Sequence, residues 1–87
     1  MDELSLSIDE RGDVLYLTVG DPDSGARSRS DEHGFIWRTS KDGVRRAVTV
    51  QNARAWLAKK AELEKLLADG FGLEPEVVHE KLPELAD

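Results

Sequence analysis

The 87 residues carry 18 acids against 12 bases, a net charge of −6, and no cysteine. That length gives room for one domain with a thin core, burying roughly 60–65% of the surface its unfolded chain exposes. Disulfides, thiolate metal sites and a cysteine nucleophile are excluded, and the acidic balance argues against a general nucleic-acid binder.

MDELSLSIDE places acids where a secretory leader carries bases, and no apolar run approaches the ~20 residues of a membrane span, so a soluble cytoplasmic protein with no membrane partner is expected. Leu4, Leu6 and Ile8 alternate with Ser5 and Ser7, the period of a half-buried strand. Asp9-Glu-Arg-Gly-Asp13 supplies turn residues, and VLYLTV (14 to 19) follows as a second strand. Val14, Tyr16 and Thr18 on one face and Leu15, Leu17 and Val19 on the other make it apolar on both sides, which predicts a central position in the sheet.

Gly20 to Ser30 has no apolar side chain larger than alanine and reads as a loop running into a polar edge strand. FIWR (35 to 38) opens the next strand. Ser40-Lys-Asp-Gly43 matches a connection built on a type I turn, with glycine at the positive φ, and VRRAVTV (44 to 50) returns with an uneven alternation that predicts a bulge or a doubly covered strand.

From Ala53 the period changes. ARAWLAKKAELEKLLAD contains strong helix formers and no β-branched residue, Asn52 is placed to cap it, and Gly70 to stop it. Trp56, Leu63 and Leu67 form its apolar stripe, with Leu66, Ala53 and Leu57 on the flanks, and Lys60/Glu64 and Lys65/Asp69 are i,i+4 pairs on the wetter side. In the tail, Pro75 suits a first helical turn, Val78, Leu82 and Leu85 recur at helical spacing, and Pro83 interrupts the end.

The expected architecture is therefore α+β: a four- or five-stranded antiparallel sheet in meander order over residues 4–52, a long helix over 53–69 and a short helical tail over 71–87, in a single domain of residues 1–87. LSIDERGDVLYLTV, with Asp9, Asp13, Leu15, Tyr16 and Leu17, resembles the opening of the small bacterial proteins grouped as domain of unknown function 2283. FIWRTSKDGVRRAVTVQNA, with Asp42, Gly43 and Asn52, is similar to that family's later strand, aspartate-glycine turn and strand ending in asparagine. The resemblance covers roughly residues 4–57 and implies a small curved sheet plus helix without bringing an activity. Arg45, Arg46 and Ala47 stand where the family usually has a glycine and an acid, and the helical extension is an addition.

Asp9, Glu10 and Asp13 are candidates for a carboxylate pair or metal ligands beside Tyr16, against the plainer reading that the acids bond turn N–H groups and the tyrosine is buried with its hydroxyl at the rim. DPDSGARSRSDE places Asp21, Asp23 and Glu32 at calcium-loop positions, but its glycine falls early, arginines fill two ligand positions and no helices flank it. His33 and His79 are isolated and suit surface positions better than a zinc site. No nucleophile motif, phosphate loop or dinucleotide fingerprint appears, so neither enzyme activity nor a cofactor is expected.

From Ser24 to Val50, Arg27, Arg29, Arg38, Lys41, Arg45 and Arg46 stand against Asp31, Glu32 and Asp42, a local charge of +3. If these six bases share one sheet face they form a patch for an anion, a nucleic-acid backbone or an acidic partner; otherwise they are a solvated surface paired with acids. Phe71, Val78, Leu82 and Leu85 exceed what a small sheet can cover and are candidates for self-association. The functional expectation is a non-enzymatic, regulatory or antitoxin-like interaction module acting as a homodimer, with a partner protein besides. Nucleic-acid or phosphoanion binding through the arginines is the alternative.

Overall fold

The computed structural model describes residues 4–20 and 27–82. Five antiparallel strands, β1 (Leu4–Asp9), β2 (Val14–Val19), β3 (Arg27–Ser30), β4 (Ile36–Thr39) and β5 (Arg45–Gln51), form one sheet in the order β1-β2-β5-β4-β3. Three helices follow, α1 (Ala53–Leu57), α2 (Lys60–Phe71) and α3 (Pro75–Lys81). The α+β class is as the alternation implied, but the order is not one continuous meander. The β1–β2 hairpin and the β3–β4–β5 meander are joined by pairing β2 with β5.

The reason lies in side chains. Leu15 pairs with Val50 and Leu17 with Val48 across β2 and β5, and all four are fully buried, so placing these strands side by side concentrates the apolar surface at the sheet's centre. The sequence RSRS in β3 has nothing to bury and takes an outer position.

Two turns are built alike. Ser40 N–H donates to the Val44 carbonyl and Gly43 N–H to the Ser40 carbonyl, both at 2.9 Å; Asp31 N–H donates to the Phe35 carbonyl at 2.9 Å and Gly34 N–H to the Asp31 carbonyl at 3.1 Å. Gly34 and Gly43 carry φ of 80° and 84°, the left-handed position that closes a type I turn with a bulge and that a Cβ would strain. The uneven alternation in VRRAVTV has its cause in a register shift opposite Arg38 and Thr39, where Thr39 faces Arg45 and Arg38 faces Ala47.

The helical region departs from expectation at three points. Asn52 sits in the left-handed region with no side-chain cap hydrogen bond; Asp13 supplies the cap instead. Its carbonyl accepts from Ala53 N–H and its carboxylate from Arg54 N–H, both at 2.9 Å. The expected single helix over 53–69 breaks at Ala58 and Lys59 because tertiary packing overrides propensity. Trp56 packs edge-on against Phe35, 4.9 Å between ring centroids, while Leu63 and Leu67 are buried against the sheet.

Finally, α2 runs through Gly70 and ends at Gly72, whose left-handed conformation caps it. Inside the helix Gly70 leaves room for the Trp37 ring, which lies directly against it where a Cβ would stand 3.0 Å from Cζ3 and closer still to its neighbours.

The core joins Leu4, Leu15, Leu17, Phe35, Trp37, Val48 and Val50 of the sheet side to Ala53, Leu63, Leu67, Ala68, Val78 and Leu82 of the helical side. All three helices lie on one side, and α3, with Pro75 in its first turn as expected, folds back along β1. Among the described residues no helix is long and apolar enough to cross a membrane.

Candidate functional site

Strand alternation and the β5 bulge divide the six bases between faces, so the condition on which they would form a single patch is not met. Arg29 pairs with Trp37 and Arg27 with Thr39, so both point to the helix side. Arg45 joins them there, its guanidinium 4.7 Å from the Trp37 ring centroid and 3.4 Å from the Gly70 carbonyl to which it donates. Arg38 pairs with Ser28 and Ala47 on the opposite, helix-free face. Arg46 is bound to Asp42 at 3.4 Å, and Lys41 lies in the β4–β5 turn beside Arg27, Thr39 and Ser40.

The helix-side group surrounds a feature that charge counting did not reveal. Asp31 Oδ1 accepts from His33 N–H at 2.8 Å and Phe35 N–H at 3.0 Å, while Oδ2 accepts from the Trp37 indole N–H at 2.8 Å. Partial burial alone would raise the Asp31 pKa; the hydrogen bonds from Trp37, His33 and Phe35, with the nearby His33 ring, outweigh it and hold the carboxyl below its ordinary value. The aspartate in the first position and the glycine in the fourth of DEHG signal such a turn. The indole partner, two positions into the next strand, carries no local signal.

The acidic turn of β1–β2 is structural. Asp9 Oδ1 accepts from Arg11 N–H and Gly12 N–H, each at 3.1 Å, and Asp13 caps α1. Glu10 is exposed in the same turn. Tyr16 corrects the expectation of burial: it is 41% exposed on the helix-free face.

Among the described residues no group of three histidine or acidic side chains could hold a metal ion. His33 stacks beside Phe35 and Trp56. His79 Nδ1 lies 2.5 Å from Glu64 Oε2, joining α3 to α2, so Glu64 faces histidine rather than the expected Lys60. The calcium-loop reading falls largely outside the described residues.

The self-association candidates are also corrected. Val78 and Leu82 are buried in the chain's own core, and Phe71 packs on it with its ring 5.0 Å from that of Trp37. They are covered because α3 folds back on β1 instead of extending outward. Leu85 lies outside the described residues.

What is left open is the far side of the sheet. Tyr16, Thr18, Ser28, Ile36, Arg38, Ala47 and Thr49 line a shallow concavity of ≈ 360 Å³ there, with Arg38 its one charged side chain among the described residues. No protein-family model, no curated protein and no solved structure matches the chain.

Proposed function

We propose that the chain is a non-enzymatic, cytoplasmic protein-interaction module that forms a homodimer by placing the helix-free sheet faces of two copies together. One observation carries this reading: the concavity is poor in charge and combines an exposed tyrosine and a single arginine with isoleucine, alanine and threonine. Depletion of charge with retention of tyrosine and arginine distinguishes the centre of a protein interface from ordinary surface. A two-fold contact uses the same patch on both subunits, and a patch with little charge meets its own copy without like-charge repulsion. The alternative self-association surface, the tail helix, is spent inside the chain.

A regulatory or antitoxin-like role is the concrete form of the proposal, since a dimer joined through this face leaves the helices and the open backbone edge of β3 available to a second protein. Kinship with the domain-of-unknown-function 2283 family belongs to the same proposal and rests on Asp9, Asp13, Leu15, Tyr16, Leu17, Asp42, Gly43 and Asn52. Direct nucleic-acid binding is the weaker reading, because the six bases do not converge on one face. Sedimentation equilibrium at rising concentration tests the dimer. A mass that climbs to twice that of the chain supports it, and a monomer at high micromolar concentration overturns it.

A further inference from the structure

β3 is the outer strand of the sheet, and all of RSRS is exposed. The direction of its backbone groups follows from the hairpin. Asp31 N–H donates to the Phe35 carbonyl, and the register continues Ser30↔Ile36, Arg29↔Trp37, Ser28↔Arg38, Arg27↔Thr39. Hydrogen-bonded pairs alternate along an antiparallel ladder, so Arg27 and Arg29 bond to β4 while the N–H and C=O groups of Ser28 and Ser30 point away from the sheet. Such an outer row is a template for one more strand.

Arg27 and Arg29 stand on the helix side of this edge. Two residues apart on a strand they are separated by about 6.7 Å along it, the interval at which same-face side chains of an added strand recur. Beside them is a depression of ≈ 290 Å³ lined by Arg29, Ser30, Asp31, Trp37, Thr39 and Arg45. Arg45 is stacked on Trp37. The Asp31 carboxylate accepts from Trp37 and two backbone N–H groups and, among the described residues, forms no ion pair with the arginines. Among the described residues neither Arg27 nor Arg29 has a hydrogen-bond or ion-pair partner for its side chain.

We propose that β3 is a strand-addition site for an extended acidic segment of a partner protein. Main-chain hydrogen bonds to Ser28 and Ser30 seat the segment, and aspartate or glutamate at alternate positions pairs with Arg27 and Arg29. In an otherwise acidic chain this basic edge selects an acidic occupant by charge, and the open backbone row selects an extended one. The open backbone edge and the Arg27 and Arg29 side chains lie apart from the Tyr16 face, to which this half of the site lends only the Ser28 side chain, so peptide binding and self-association are read by separate measurements.

Fluorescence anisotropy of a labelled peptide alternating glutamate with valine tests the proposal. The full chain binds it at low salt, Arg29→Glu weakens binding about tenfold or more, the loss of one charge-assisted pair, and Ser28→Pro, which removes an outward N–H, weakens it further while Ser28→Ala does not. The same peptide N-methylated along one backbone edge tests the main-chain contacts against the unaltered protein and should not bind. Absence of binding by the plain peptide, equal binding of the N-methylated one, or full displacement by pyrophosphate or a DNA oligonucleotide of matched charge would overturn the proposal, the last by showing that the arginines read charge alone.

Discussion

The indole N–H of Trp37 donates to Asp31 Oδ2 at 2.8 Å, and through this bond the β3–β4 turn is fastened to the core. Asp31→Asn leaves one amide oxygen for the His33 and Phe35 N–H groups and turns an NH2 toward the indole N–H, so donor faces donor. The expected cost is about 2 kcal/mol, read from urea denaturation by tryptophan fluorescence.

Acid should act through the same carboxyl. Its folded pKa is depressed below the unfolded value of about 3.9. Its contribution to stability is therefore complete above that value and is lost as pH falls through the folded pKa. Between neutral pH and about pH 3 the wild type should lose more stability than Asp31→Asn, narrowing the gap between them. A gap that stays constant or widens on acidification contradicts the assignment.

Asp13 and Asn52 both have positive φ, 55° and 57°, but only Asp13 caps. Asp13→Ala should cost about 1–2 kcal/mol by losing the cap and keeping a Cβ in a strained backbone. Asp13→Asn, which keeps an oxygen and tolerates that conformation, should stay close to wild type. Asn52→Gly should be neutral or slightly stabilising. Thermal melts that rank Asn52→Gly below Asp13→Ala would show that Asn52 carries the cap.

Gly70→Ala improves helix propensity by about 1 kcal/mol in isolation, yet the new methyl meets the Trp37 ring. Overpacking should win, for a net loss of about 1–3 kcal/mol, with altered near-ultraviolet circular dichroism as Trp37 shifts. A stabilised variant with an unchanged aromatic spectrum contradicts the packing.

Strands and turns were legible because their signals are local: period-two alternation in LSLSI and the aspartate-glycine turn at Asp42-Gly43. Sheet order was not, since nothing in VLYLTV marks Val48 and Val50 as its partners rather than the nearer FIWR. The cap failed for a related reason. A local rule assigns Asn52, whereas the oxygen that reaches Arg54 comes from a residue 41 positions earlier. Counting charge located the arginines, and the bulge opposite Thr39 then divided them. The apolar surplus of the tail pointed to a dimer because sequence does not reveal that Val78 and Leu82 fold back under β1.

The dimer dissociation constant, by sedimentation equilibrium, for wild type, Tyr16→Glu and Val77→Glu tests the contact between helix-free sheet faces. Val77 is 39% exposed on α3, on the helix side away from the concavity. The dimer reading predicts a wild-type dimer, one retained in Val77→Glu, and a folded monomer for Tyr16→Glu, where the contact would have to desolvate a carboxylate in place of the tyrosine. A dimer that survives Tyr16→Glu unchanged, or one broken only by Val77→Glu, would contradict it.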